Sequence, residues 1–165
     1  MKHSEDLERC AWKLRPAVAR DAEWIAELRA VVMRPDLERL GRFDPVWVRQ
    51  RFLNAFDPAV TFIIEAGTES IGCVAVRPDD DARWLEHFYL AGAHQGQGIG
   101  AAVLAAVLAG ADDSLPFRLN VLQGSPARRL YERYGFVVDS EDPVDVFMVR
   151  PLGPVGSRRG SPGPQ

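Results

Sequence analysis

"HQGQGIG", residues 94–100, is the stretch on which the reading of this chain turns. It places glycines at 96, 98 and 100, between "RWLEHFYL" (83–90), a run with strand character, and "AAVLAAVLAG" (101–110), a run with helical character. Glycines at such a junction leave successive backbone N–H groups open. The helix that follows adds its dipole, so the arrangement suits a negatively charged phosphate. Three readings compete: plain turn punctuation, a dinucleotide-binding loop, and a pyrophosphate loop of another kind.

The turn-only reading loses ground because the loop opens a strong helix. The dinucleotide reading takes Gly96, Gly98 and Ala101 as G-x-G-x-x-A. That fingerprint needs an acid at the end of the next strand, about 20 residues on, to hold a ribose. The next strand, "FRLNVL" (117–122), runs into Gln123-Gly124 with no acid, and Asp112 and Asp113 precede it. Too little chain follows to build a doubly wound sheet.

Working outward, "WKLRPAV" (12–18) reads as a first strand. Asp21 reads as a helix N-cap with Glu23 in the first turn; Trp24, Ile25, Leu28, Val31 and Val32 form the apolar face, and Pro35 ends the helix. Asp44-Pro45 opens a second helix striped by Val48, Phe52, Leu53 and Phe56. "VTFIIEA" (60–66) and "SIGCVAV" (70–76) read as a hairpin, and residues 82–90 as a third strand beside them. The loop helix carries Ile99, Val103, Leu104, Val107 and Leu108 on its apolar side. "SPARRLYERYG" (125–135) has a Ser-Pro start and a glycine stop, and "FVVDS" and "DVFMVRP" close as strands. The order β-α-α-β-β-β-α-β-α-β-β predicts a mixed α/β (α+β) domain with helices on the faces of one sheet. We expect a single domain over 12–152, a loose leader over 1–11 and a disordered Gly/Pro/Ser-rich tail over 153–165.

The third reading of the loop rests on two stretches. Gln95-Gly96-Gln97-Gly98-Ile99-Gly100 fits Q/R-x-x-G-x-G/A inside "FYLAGAHQGQGIGAAVLAAVL" (88–108), and "LNVLQGSPARRLYERYGF" (119–136) ends in LYE-x-x-GF. In this order and separation, across residues 82–137, they resemble the GNAT superfamily of N-acetyltransferases. The resemblance implies a mostly antiparallel central sheet of about six to seven strands with about four helices. It implies acetyl-CoA as cosubstrate and a primary amine as acceptor, on a small molecule or a peptide. Direct attack in a ternary complex fits, since neither Cys10 nor Cys73 lies near the motifs. A non-catalytic acyl-CoA sensor or interaction module on the same fold is the alternative.

By that resemblance Gln95, Gly96, Gln97, Gly98, Ile99, Gly100 and Ala101 cradle the pyrophosphate. Phe88, Tyr89 and Leu90 offer backbone hydrogen bonds to the pantetheine arm, as an added strand would. Tyr131 of "LYE" is the proton donor to the departing thiolate. Tyr134 falls on the same helical spacing, so one of the two tyrosines is packing. Many relatives have Asn before the LYE helix; here Gly124-Ser125-Pro126 stands, and Ser125 offers a hydroxyl to the arm. An acceptor amine near pKa 10.4 must lose a proton before it attacks. Glu86 lies four residues before Leu90, which strand alternation would place on the same face as a candidate base; an ion-paired edge glutamate is the equal reading. His87 and His94 read as packing or solvent-facing. Met33, Arg34 and Trp47, with Arg51, are candidates for acceptor recognition, and an arginine there would favour a carboxylate or phosphate.

Composition bounds the rest. The chain has 165 residues, net charge −3, 47% hydrophobic and 26% charged residues, which argues for a globular domain and against a basic nucleic-acid surface. No Cys/His spacing suits zinc, and we expect no metal. The polar N-terminus lacks a signal-peptide core and no run is long enough for a membrane span, so a cytoplasmic monomer or homodimer is expected.

Overall fold

A seven-stranded sheet runs through residues 11–153, the part of the chain described by this computed structural model. The expected leader and tail, with Cys10, lie outside the described residues except at their inner ends. The strands are β1 (Trp12–Pro16), β2 (Thr61–Ala66), β3 (Glu69–Pro78), β4 (Arg83–Leu90), β5 (Phe117–Leu122), β6 (Val137–Glu141) and β7 (Asp145–Arg150). They stand in the order β1-β2-β3-β4-β5-β7-β6, and every neighbouring pair is antiparallel except β4 and β5. The helices are α1 (Ala22–Arg39), α2 (Pro45–Ala55), α3 (Ile99–Ala109) and α4 (Ala127–Arg133). This is the mixed, mostly antiparallel architecture read from the sequence.

Each face of the sheet has its own core. On one, Ile99, Val103 and Leu104 of α3 and Tyr131 of α4 pack with Val74, Leu85, Leu119 and Met148. On the other, Ile25 and Ala26 of α1 and Phe52 of α2 pack with Ile63 and Cys73, while Ala30, Leu37 and Val48 form a smaller group with Met33, Phe43 and Leu122. Burying each such Ile, Leu or Phe side chain contributes about 2 kcal/mol. Among the described residues no helix is long and apolar enough to cross a membrane.

Several local expectations hold. Asp44 caps α2 by accepting from the N–H groups of Val46 and Trp47 at 2.9 and 2.8 Å, and Pro45 fills the first turn. Gly135, at φ 89°, stops α4. Asp21 stands at the start of α1, yet its carboxylate turns outward from the helix. It accepts from Arg15 Nη1 and Nη2 (both 2.9 Å), Val18 N (2.8 Å) and Trp24 Nε1 (2.9 Å). Asp21 therefore ties β1 to α1.

Two expectations fail. Pro35 does not end α1; the helix continues to Arg39. A proline removes the bond to residue i−4, here Val31, which lies 68% exposed, so water reaches that turn. The turn beyond is held by buried Leu37 and by Arg39 Nη2 donating to Gln123 O at 2.6 Å. The exposure of Val31 also corrects the apolar face of α1: the buried positions are Ile25, Ala26, Arg29, Ala30 and Leu37.

Candidate functional site

The site is built around the point where β4 leaves its neighbour. β4 pairs with β3 over nearly its whole length, but with β5 only at Arg83↔Phe117 and Trp84↔Arg118. From Leu85 onward the two parallel strands diverge. The β5-facing edge of β4 is thus left open through Phe88, Tyr89 and Leu90, an edge that an extended ligand can join.

The glycine loop closes one end of this opening. Gly96 and Gly98 take φ of 74° and 82°, the left-handed region that glycine enters without Cβ strain. Gly98 caps α3, and the first helical bond runs from Ala102 N to Gly98 O at 3.0 Å. Among the described residues, the N–H groups of Gly96, Gln97, Gly98, Ile99, Gly100 and Ala101 have no backbone partner. The exposed Gln95 and Gln97 side chains donate to Leu90 O (2.7 Å) and Ala93 O (3.1 Å), so they brace the loop. A row of unspent amides at the N-terminus of an 11-residue helix is a ready anion cradle.

The second motif closes the other side. Tyr131, 8% exposed, shares one core with Phe88, Leu90 and Ile99, and its ring meets Phe136 at 5.7 Å. Burial raises the pKa of its hydroxyl, so the phenol stays protonated at any working pH. No enclosed side-chain oxygen or nitrogen among the described residues lacks a partner. The Tyr131 hydroxyl has no hydrogen-bond partner among the described residues. Tyr134 is half-buried, and its carbonyl accepts from Arg150 Nε at 2.9 Å. Ser125 Oγ accepts from Ala127 N at 3.3 Å at the start of α4. Gly124, at φ 74°, lets Arg39 lie against it: a Cβ there would meet Arg39 Nη1 at 2.7 Å.

A family model described as an acetyltransferase (GNAT) domain matches residues 57–138, a span that holds β4, the loop, α3 and α4. The chain belongs to the GNAT acetyltransferases. The fold agrees with solved GNAT structures. The PaiA N-acetyltransferase from Thermoplasma acidophilum, solved in complex with coenzyme A, is 20% identical with a TM-score of 0.70, covering 86% of this chain and 99% of that one. An acetyltransferase from Thermus thermophilus is 20% identical with a TM-score of 0.67, covering 86% and 97%. An N-acetyltransferase from Staphylococcus aureus is 16% identical with a TM-score of 0.64, covering 83% and 98%. A search of curated proteins finds no match.

On this GNAT scaffold the expected placement of Glu86 on the face of Leu90 needs correction. The register between β3 and β4 slips: Cys73 faces Tyr89, but Ala75 faces Glu86. One extra residue is therefore accommodated in β4, and His87 takes φ 47° to absorb it. The bulge reverses alternation. Leu85, Phe88 and Leu90 point to the α3/α4 core, whereas Glu86 lies across from Ala75, on the side where Cys73 and Tyr89 join the α1/α2 core. Glu86 and Leu90 thus occupy opposite faces. Arg77 holds the Glu86 carboxylate, with Nη2 at 3.0 Å from Oε1. His94 lies 3.8 Å from a Glu69 carboxylate oxygen, apart from this centre.

The residues expected to read the acceptor are dispersed. Met33 packs beside Leu122 at the end of β5, close to the opening. Arg34 stacks over Phe43 at 4.8 Å and pairs with Glu38 at 2.6 Å on the outer surface. Trp47 is 46% exposed, with Arg51 over its ring at 5.1 Å. Sequence reading passed over Arg29. Its signal was available: a charged residue recurring with Ile25, Ala26 and Ala30 on the buried stripe of α1. Arg29 Nε donates to Tyr89 Oη at 3.0 Å, and Tyr89 Oη lies 3.1 Å from His87 Nδ1. Burial pushes the Tyr89 hydroxyl up to about 12 and lowers the pKa of His87, aided by the nearby charges of Arg29 and Arg51. His87 Nε2 has no partner among the described residues.

Proposed function

We propose that this chain transfers an acyl group, acetyl foremost, from acyl-CoA to a primary amine by direct attack in a ternary complex. The observation that carries this reading is the pairing of unspent amides from Gly96 to Ala101 with the open edge of β4. The two fit the parts of coenzyme A: the amides take the pyrophosphate, and Phe88 to Leu90 take the amide groups of the pantetheine as a neighbouring strand would. The Ser125 hydroxyl, at the start of α4, is offered to the same arm. Acetyl-CoA, when bound, supplies a thioester whose C–S bond breaks as the C–N bond forms.

The protein's own groups do the rest. A backbone N–H at Tyr89 or Leu90 polarises the carbonyl. Tyr131, neutral by burial, gives its proton to the sulfur that leaves. We take His87 as the group that accepts the proton from the attacking amine, in preference to Glu86, which Arg77 holds. Burial favours the neutral form of the His87 imidazole, and its Nε2 has no partner among the described residues. The role requires the tautomer in which Nδ1–H donates to Tyr89 Oη and leaves the Nε2 lone pair free.

The test is calorimetric titration with acetyl-CoA, followed by release of free CoA across a panel of amines. Tyr131→Phe should keep acetyl-CoA affinity and lose about 100-fold in turnover. Equal loss of binding and turnover would remove the proton-donor role. Tight binding with no CoA release for any amine would favour the non-catalytic sensor.

A further inference from the structure

Arg29 is a buried cation without a counter-ion. It is 5% exposed, projects from α1 toward β4, and pairs with no carboxylate among the described residues. Its guanidinium donates from Nε to Tyr89 Oη and from Nη1 to Val48 O, both neutral acceptors. Nη2 has no hydrogen-bond partner among the described residues. A cation withdrawn from water and matched only by neutral oxygens is costly, and an anion arriving at its unpartnered end recovers much of that cost.

A second observation points the same way. Arg51 of α2 also acts on His87, and with Arg29 it helps to depress the pKa of the imidazole. The acid that faces these groups, Glu86, is already held by Arg77. The remaining neighbours, Tyr89 and Cys73, are neutral, since burial pushes each to about 12. The charges acting on His87 from the two helices, Arg29 of α1 and Arg51 of α2, are therefore both positive. A polyamine would be repelled there.

We propose that the acceptor carries a carboxylate close to its amine, as an amino acid does, and that the unpartnered end of Arg29 binds it. A single negative charge matches the unpartnered Nη2 end of a fork whose Nε and Nη1 already donate to Tyr89 and Val48. The inference rests on the acyltransfer reading and deepens it: Arg29 holds the carboxylate, the Arg29–Tyr89–His87 chain sets the distance, and the amine lands at the His87 imidazole.

The experiment compares matched acceptors, phenylalanine with phenethylamine and lysine with cadaverine, by CoA release. The wild-type protein should favour the carboxylated member by about 10- to 100-fold in kcat/KM, the contribution of a charge-assisted pair. In Arg29→Gln that ratio should collapse toward one, with acetyl-CoA affinity kept, and Arg29→Lys should restore part of it. Equal rates for both members in the wild type, or a stronger preference for phosphoethanolamine, would overturn the proposal. So would an Arg29→Gln variant that retains the ratio. Should that variant fail to fold, binding of N-acetylphenylalanine against N-acetylphenethylamine to the wild type, with CoA present, gives the same comparison. Absence of CoA release from every amine would sink the acyltransfer reading, while the product-binding comparison would still decide for or against the carboxylate site.

Discussion

Gly98 and Gly100 lie two residues apart, and alanine at the two positions should act in opposite directions. Gly98 sits at φ 82° with nothing within 4 Å of an added Cβ, so the cost of Gly98→Ala is conformational. An L-residue in the left-handed region costs about 1–2 kcal/mol, partly offset by roughly 0.5 kcal/mol of reduced freedom in the unfolded chain. The net loss is about 1 kcal/mol, or roughly 4 °C in Tm. Gly100 lies inside α3 without a positive φ, and its added Cβ would meet only Leu130 Cδ2 at 4.0 Å. Gly100→Ala should therefore gain up to about 1 kcal/mol of helix propensity. Binding should separate the pair further. A rotated peptide at 98 misaims the adjoining amides, and losing one hydrogen bond to a charged phosphate weakens acetyl-CoA by about 10- to 100-fold. Gly100→Ala keeps its N–H in place and should weaken binding far less. Thermal unfolding and calorimetric titration of both variants measure this. Wild-type acetyl-CoA affinity in Gly98→Ala would refute the amide cradle, and a lower Tm in Gly100→Ala would refute the reading of its backbone.

Two other perturbations test the frame behind the site. Asp21→Asn should cost about 3 kcal/mol, because it removes a buried carboxylate that accepts from Arg15, Val18 and Trp24. Arg15 holds the Asp21 pKa well below the usual carboxylate range, so its contribution is complete above about pH 4 and drains away as pH falls below that; denaturant unfolding against pH should show this acid limb in the wild type and a flatter one in Asp21→Asn. Gly72→Ala would place a Cβ 2.3 Å from the Tyr89 carbonyl oxygen, forcing β3 away from β4 beside the bulge; a loss of more than about 2 kcal/mol is expected, and a variant of wild-type Tm would show that the two strands do not approach that closely.

What the sequence displayed and what it concealed follow from the range of the forces involved. Gly98, Pro45 and Gly135 were legible because each acts on its own backbone, through φ or a missing N–H. The backbone of the candidate donor loop was legible for the same reason: it is shaped by glycines at 96 and 98 with positive φ. Pro35 misled because Leu37 and Arg39 anchor the following turn to groups far away in sequence, Val48 and Gln123 among them. Glu86 misled because strand alternation assumes an even register, and the slip at His87 depends on how β3 lies alongside. Arg29 was passed over because its partner Tyr89 is 60 residues distant. The acceptor half thus rests on side chains brought together by the tertiary fold, which no local pattern records.

The divergence of β4 from β5 has a mechanical consequence. It splits the sheet into a panel of β1 to β4 and a panel of β5 to β7, hinged at Arg83 and Trp84. The hinge is pinned from the loop ahead of β5. Arg83 N donates to Pro116 O at 2.8 Å, and the Arg83 guanidinium grips Asp112 through its carbonyl (2.8 Å) and its carboxylate (2.6 Å). The width of the seam is therefore set by residues 112–116, on the far side of the sheet's opening from the glycine loop. Loosening Asp112 would let the panels swing without touching a single group proposed to meet coenzyme A or amine. In this protein the aperture and the chemistry are adjustable by separate substitutions.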